Sequence, residues 1–136
     1  MRTASGGPGT ELLGSRIVEL PENETGPRKP DSQSGFIAYV PEGSLAKGKI
    51  LVTRTDEWGV ACTACHGKTL NGVRGIPPLA GRPPTYLVRQ LWNYQSGERR
   101  GSMAAPMRAV AARLRVSEML AMSAYLASLP PEPLSP

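Results

Sequence analysis

Residues 61–67 read ACTACHG and hold both cysteines and the single histidine of a chain of 136 residues. A bridge between Cys62 and Cys65 would close a loop too small to staple distant parts of the molecule. These thiols therefore read as chemistry rather than scaffolding. With 40% apolar residues, the chain around them has the composition of one small globular domain. Fifteen glycines and fourteen prolines make loop a large share of it. Two Trp, four Tyr and one Phe are few anchors for such a core, which is easier to understand if a bound planar group fills part of it.

Upstream of the cysteines lies a polar connector, TRTDEWG (53–59), and before it GSLAKGKILV (43–52). The latter reads as a helix with Ser44 as N-cap and Leu45, Ile50, Leu51 and Val52 as apolar positions. Downstream, GKTLNGVRGIPPLAGRPP (67–84) is too rich in glycine and proline for regular helix or a central strand, so it is expected to follow a surface. Pro84 then opens PTYLVRQLWNYQSGE (84–98), where Tyr86, Leu87, Gln90, Leu91 and Tyr94 recur at helical spacing and Gly97 supplies a stop. The last periodic run, VSEMLAMSAYLASLPP (116–131), has Ser117 as N-cap candidate, an apolar stripe through Leu120, Met122, Tyr125, Leu126 and Leu129, and Pro130 as brake. No run shows convincing strand alternation. The fold class expected is all-α with long loops.

Residues 1–35 are rich in Gly, Pro, Ser and charge and read as an extended N-terminal arm, with one apolar patch at Ile17, Val18 and Leu20. They carry four basic and five acidic residues, whereas residues 36–136 carry twelve basic and six acidic, a net of +6. The positive charge belongs to the folded domain. No stretch approaches the ~18 apolar residues of a membrane span, and the first residues, MRTASGGPGT, lack the apolar core of a leader. A soluble chain without its signal peptide is expected, and no nucleic-acid partner.

Two cysteines two residues apart serve thiol–disulfide exchange, zinc binding or covalent haem attachment. A redox dithiol of the thioredoxin kind needs a βαβ frame that is missing here. Protein zinc sites need four ligands, and the sequence has no further Cys or His. Haem attachment uses every member. The two thiols sit one helical turn apart to add to two vinyl groups, and the adjacent histidine lies under the iron. Cys62 and Cys65 are thus candidate anchors and His66 the candidate proximal ligand of one haem c. Histidine is then exhausted, leaving methionine, lysine or an open position on the far side of iron. Met119 and Met122 fall in the last helix, where core packing explains them. Met103 and Met107 lie in GSMAAPMRAVAARL (101–114), and either one suits a haem face. Pro106 is expected to hold the chain at Met107 extended, as a strap.

Five motifs follow one another: CTACHG (62–67), GIPPLAG (75–81), YLVRQLWNYQSGER (86–99), PMRAVAARL (106–114) and SAYLASLPP (123–131). In this order they resemble a class I c-type cytochrome, in detail one haem domain of the two-haem cytochrome c-four type, over roughly residues 43–131. The resemblance implies the small class I cytochrome c fold, three to five helices and long loops around one covalent haem c. With the N-terminal arm set apart, a domain at 36–131 and a short tail at 132–136 are expected. The resemblance also implies iron ligation by His66 and Met107, with Met103 as second candidate. In the same way it implies a carbonyl of Pro77 that accepts the outer imidazole proton, haem contacts from Leu79 and Tyr86, and a crossing of first and last helices at Gly48 and Tyr125. The chain departs from the family in two places: Gly48 lies fourteen residues before Cys62, so that residues 53–58 look like an insertion, and the stretch before residue 36 matches nothing in the family and holds no second CxxCH.

With both axial positions filled, iron has no vacant site for substrate, and the function implied is transfer of single electrons rather than catalysis. A haem-based enzyme or sensor with a labile sixth ligand is the rival. The basic domain calls for redox partners with an acidic docking surface. The resemblance places such a chain in the bacterial periplasm or at the outer face of the cytoplasmic membrane, as a carrier or in a membrane or dehydrogenase complex.

Overall fold

The computed structural model describes residues 16–21, 36–55 and 61–132. In chain order these form strands β1 (Val18–Pro21) and β2 (Phe36–Tyr39), then helices α1 (Ser44–Thr53), α2 (Cys62–His66), α3 (Pro84–Ser96), α4 (Ala105–Ala111) and α5 (Val116–Ser128). A single 3-10 turn, Ser102–Ala104, leads into α4.

The helices α1 and α5 cross at a glycine. A Cβ on Gly48 would lie 2.1 Å from the carbonyl oxygen of Ala121 and 2.7 Å from Cβ of Tyr125, so only a residue without a side chain lets the two backbones approach this far. Beneath the crossing, Val52, Leu70, Ala80, Leu87, Met122 and Leu126 form the main buried cluster. Cys62, Leu79, Leu114 and Tyr125 pack against it. Met119 and Met122 are both buried, in keeping with their reading as core.

Two caps differ from the sequence reading. Ser44 is the first residue of α1 and is buried, while Gly43 holds the cap position in the left-handed region (φ 83°). At α5 the cap is Arg115 rather than Ser117, because the carboxylate of Glu118 accepts the N–H of Arg115 at 2.9 Å and serves the helix start from inside its first turn. Pro84 and Gly97 bound α3 as expected.

The sheet was not legible. β1 and β2 pair antiparallel, with Val18 opposite Tyr39 and Leu20 opposite Ile37. Both strands have only four residues, too few for alternation to register. Ile17 and Phe36 pack on a second cluster of Ala38, Val40 and Ala124. Glu19 reaches from β1 to the start of α3, where its carboxylate accepts the N–H of Thr85 at 3.2 Å and its hydroxyl at 2.8 Å. A negative charge there meets the positive end of the helix dipole. Residues 16–21, which composition assigns to an extended arm, are tied to the domain. The rest of that arm, residues 56–60, which take in the last three of the expected insertion, and residues 133–136 of the tail lie outside the described residues.

Candidate haem site

The ACTACHG stretch folds as one turn of helix, which puts Cys62 and Cys65 at i and i+3 on a common face. Both are free thiols, Cys62 half-buried and Cys65 exposed. Burial against the core pushes the Cys62 thiol up to about 11 from its ordinary 9.0.

His66 closes the turn and is only 6% exposed. Its Nδ1 lies 2.8 Å from the carbonyl oxygen of Pro77. A carbonyl can only accept, so Nδ1 is the donor of this bond and Nε2 is the ring nitrogen left for another partner. The imidazole is thereby held in one tautomer, with its second nitrogen free to bind a metal.

The loop that delivers Pro77 is held by backbone hydrogen bonds at several points. Gly72 N–H donates to the carbonyl of His66 at 2.9 Å, and Val73 and Ile76 exchange bonds of 3.2 and 2.8 Å around a tight turn. A Cβ on Gly72 would meet the Ile76 carbonyl oxygen at 2.7 Å, so the turn closes over a bare backbone. Leu79 and Ala80 both donate to the carbonyl of Leu70, at 2.8 and 2.9 Å. Leu70 itself is buried with a positive φ of 60°. A non-glycine residue adopts that conformation when its surroundings over-determine it, as burial and the two bonds to its carbonyl do here.

The structure thus joins Cys62, Cys65, His66 and Pro77 directly, and Leu79 through the loop and the core. It does not join Tyr86 to them by any hydrogen bond: that residue is 52% exposed on α3, whose buried face is Leu87 and Leu91. Met107 is half-buried on α4, while Met103 is 85% exposed in the 3-10 turn. The expected extended strap at Met107 is replaced by helix. Pro106 stands in the first turn of α4, where the N–H it lacks has no partner to lose.

Two residues that sequence reasoning passed over also shape the region. One is Glu19, described above. The other is Gln95 on α3, whose Nε2 donates to the carbonyls of Ala111 at 2.9 Å and Leu114 at 2.7 Å. Electrostatically the region is one-sided, since residues 97–115 hold five arginines and a single acid, Glu98. Arg99 stacks 4.7 Å over the ring of Tyr94 and donates to Gln90 at 2.6 Å.

Residues 45–130, more than half the chain, match the family model described as Cytochrome c. The chain belongs to the cytochrome c family. Cytochrome c-552 of Acidithiobacillus ferridurans is 32% identical over 75% of this chain and 43% of its own length. The thiosulfate dehydrogenase electron acceptor of Thiomonas intermedia is 36% identical over 76% of this chain and 48% of its own. Among solved structures, cytochrome c4 from Pseudomonas stutzeri superposes with a TM-score of 0.58 at 32% identity, over 63% of this chain and 48% of that one. The chain spans about half the length of the curated relatives it matches, 43% to 49% for the first three. Family membership implies covalently attached haem c. The donor set fits it: two free thiols on one helical turn, with a buried imidazole beside them whose Nδ1 is engaged by Pro77. No helix among the described residues is long and apolar enough to cross a membrane.

Proposed function

We propose that this cytochrome passes single electrons, with Cys62 and Cys65 as the thioether anchors, Nε2 of His66 as proximal ligand and Met107 as distal ligand of one haem c. The observation that carries the reading is the 2.8 Å contact of His66 Nδ1 with Pro77, within the same turn of helix as both thiols. That bond orients the ring, fixes the tautomer and strengthens Nε2 as a donor. Bound haem supplies an iron centre that cycles between ferric and ferrous states without bond making at a substrate. Around it, this chain's residues orient the imidazole and exclude water from His66. The carbonyl of Pro77 keeps the Nδ1 proton in place.

Met107 is preferred to Met103 because it is half-buried on a helix packed against α3, whereas Met103 projects from the turn before it. Pro77 and Leu79 belong to the loop on the His66 side of the site, and Tyr86 is kept as a contact at the haem edge. The functional domain we assign is 36–131, with β1 as a strand added to it.

The chain is read as a carrier, or as the electron-transfer subunit of a dehydrogenase complex, working in the periplasm or on the outer face of the cytoplasmic membrane. Relatives named as thiosulfate dehydrogenase electron acceptors and as the cytochrome subunit of a sulfide dehydrogenase support a dehydrogenase as electron donor. A net +6 over residues 36–136 supports partners with acidic docking surfaces.

The test is the long-wavelength charge-transfer band that a methionine sulfur gives ferric haem. Met107→Ala is expected to abolish it, lower the potential and admit exogenous imidazole, while Met103→Leu keeps it. A wild-type protein without the band favours the enzyme or sensor reading instead.

A further inference from the structure

We infer that Gln95 is a positioning residue for the distal ligand, acting as a two-pronged donor that sets where α4, and with it Met107, stands. The inference rests on the reading of Met107 as ligand. Helix α4 has seven residues, barely two turns, and no side-chain cap at its start. A helix so short does not hold its own geometry in water. Its N-terminal end is on the surface, with Ala105 and Pro106 exposed. Its C-terminal end is anchored: Ala111 is buried, and Gln95 Nε2 bonds the carbonyls on both sides of the corner between α4 and α5, at Ala111 and Leu114.

Chemistry fixes the role of the amide. Both partners are carbonyls and can only accept, so it is the NH2 group that faces them, with one proton for each. Among the described residues Ala111 otherwise accepts the local N–H of Leu114 at 3.1 Å, and carbonyls at a helix end are the ones left without intrahelical partners. Met107 lies one helical turn before Ala111, on the same side of α4. A shift of the Ala111 carbonyl is therefore a shift of the Met107 backbone. With haem bound, a sulfur ligand carried on that stretch of backbone would register such a shift.

A donor and an acceptor of similar reach separate this role from mere packing. Gln95→Glu keeps the shape but turns two attractive contacts into a carboxylate facing two carbonyls. Gln95→Lys keeps donors in place and puts a positive charge at the C-terminal end of α4, where it is favoured. In the haem-loaded ferric protein at neutral pH, Gln95→Glu is expected to weaken the long-wavelength sulfur band, lower the potential and raise the apparent affinity for imidazole about tenfold or more. Gln95→Lys is expected to stay within about twofold of wild type. Gln95→Leu, which removes the donor without adding charge, serves where the Glu variant fails to accumulate and is expected to fall on the Glu side. Wild-type band and imidazole affinity in both Gln95→Glu and Gln95→Leu would overturn the inference while leaving the ligand reading intact. A band that survives in Met107→Ala overturns both.

Discussion

His66 gains its role from its neighbours rather than from its own ionisation. A buried imidazole whose Nδ1 donates to one carbonyl is fixed in orientation, and that leaves Nε2 as the nitrogen that the proposed ligation of iron uses. The two thiols differ in setting: Cys62 faces the core, where burial keeps it protonated, and Cys65 faces solvent. Once both are consumed in thioethers, neither titrates, and the haem stays with the chain under conditions that extract a merely ligated one. Acidified organic solvent is expected to leave the colour in the precipitated wild-type protein and to remove it from a Cys62→Ser/Cys65→Ser double variant. Colour leaving with solvent from the wild type would rule out covalent attachment through these residues.

At the level of elements, two contacts between distant segments hold the frame that presents the site. The α1–α5 crossing admits no side chain at position 48, so Gly48→Ala must push the helices apart or twist both backbones. Overpacking of this kind costs about 3 kcal/mol, read as a lowered denaturation midpoint of the holoprotein with unchanged slope. A cost under about 1 kcal/mol would mean that the crossing relaxes freely. The second contact is the carboxylate of Glu19 on the first turn of α3. Its removal in Glu19→Ala leaves the Thr85 N–H and hydroxyl without that partner, at a cost of about 1 kcal/mol. Amide exchange is expected to quicken first in β1, which loses its tie to the helix, while His66 keeps its environment. Uniform quickening across α3 and α5 would instead make the strand part of the global core.

Over the whole molecule, charge and exposure are unevenly shared. Five of the sixteen basic residues fall within 97–115, on the corner that carries Met103 and Met107. An electron leaving near that corner meets a positive field, so oxidation by a small anionic reagent such as ferricyanide should slow as salt rises. Arg99→Glu/Arg100→Glu should both lower the rate at low salt and flatten its salt dependence. A rate that climbs with ionic strength would place the exit face elsewhere.

The sequence by itself determined the chemistry and most of the helical frame, because those depend on local spacing. The CxxCH run, the proline that opens α3, the glycine that stops it and the apolar stripe of α5 all act within a few residues of themselves. Resemblance carried the reading further, to Pro77 and Gly48, whose partners lie eleven and seventy-odd residues away. What only the tertiary structure decided are contacts whose partners carry no local mark. Glu19 looks like any charge in a polar arm until Thr85 is set beside it, sixty-six residues on. Gln95 looks like a solvated helix position until the turn after α4 brings two carbonyls to its amide. Pro106 is compatible with strap or first helical turn on local grounds alone, and the packing of α4 on α3 selects the helix. Side-chain type states what a residue can bond. Only the fold determines which orphaned backbone group comes within reach of it.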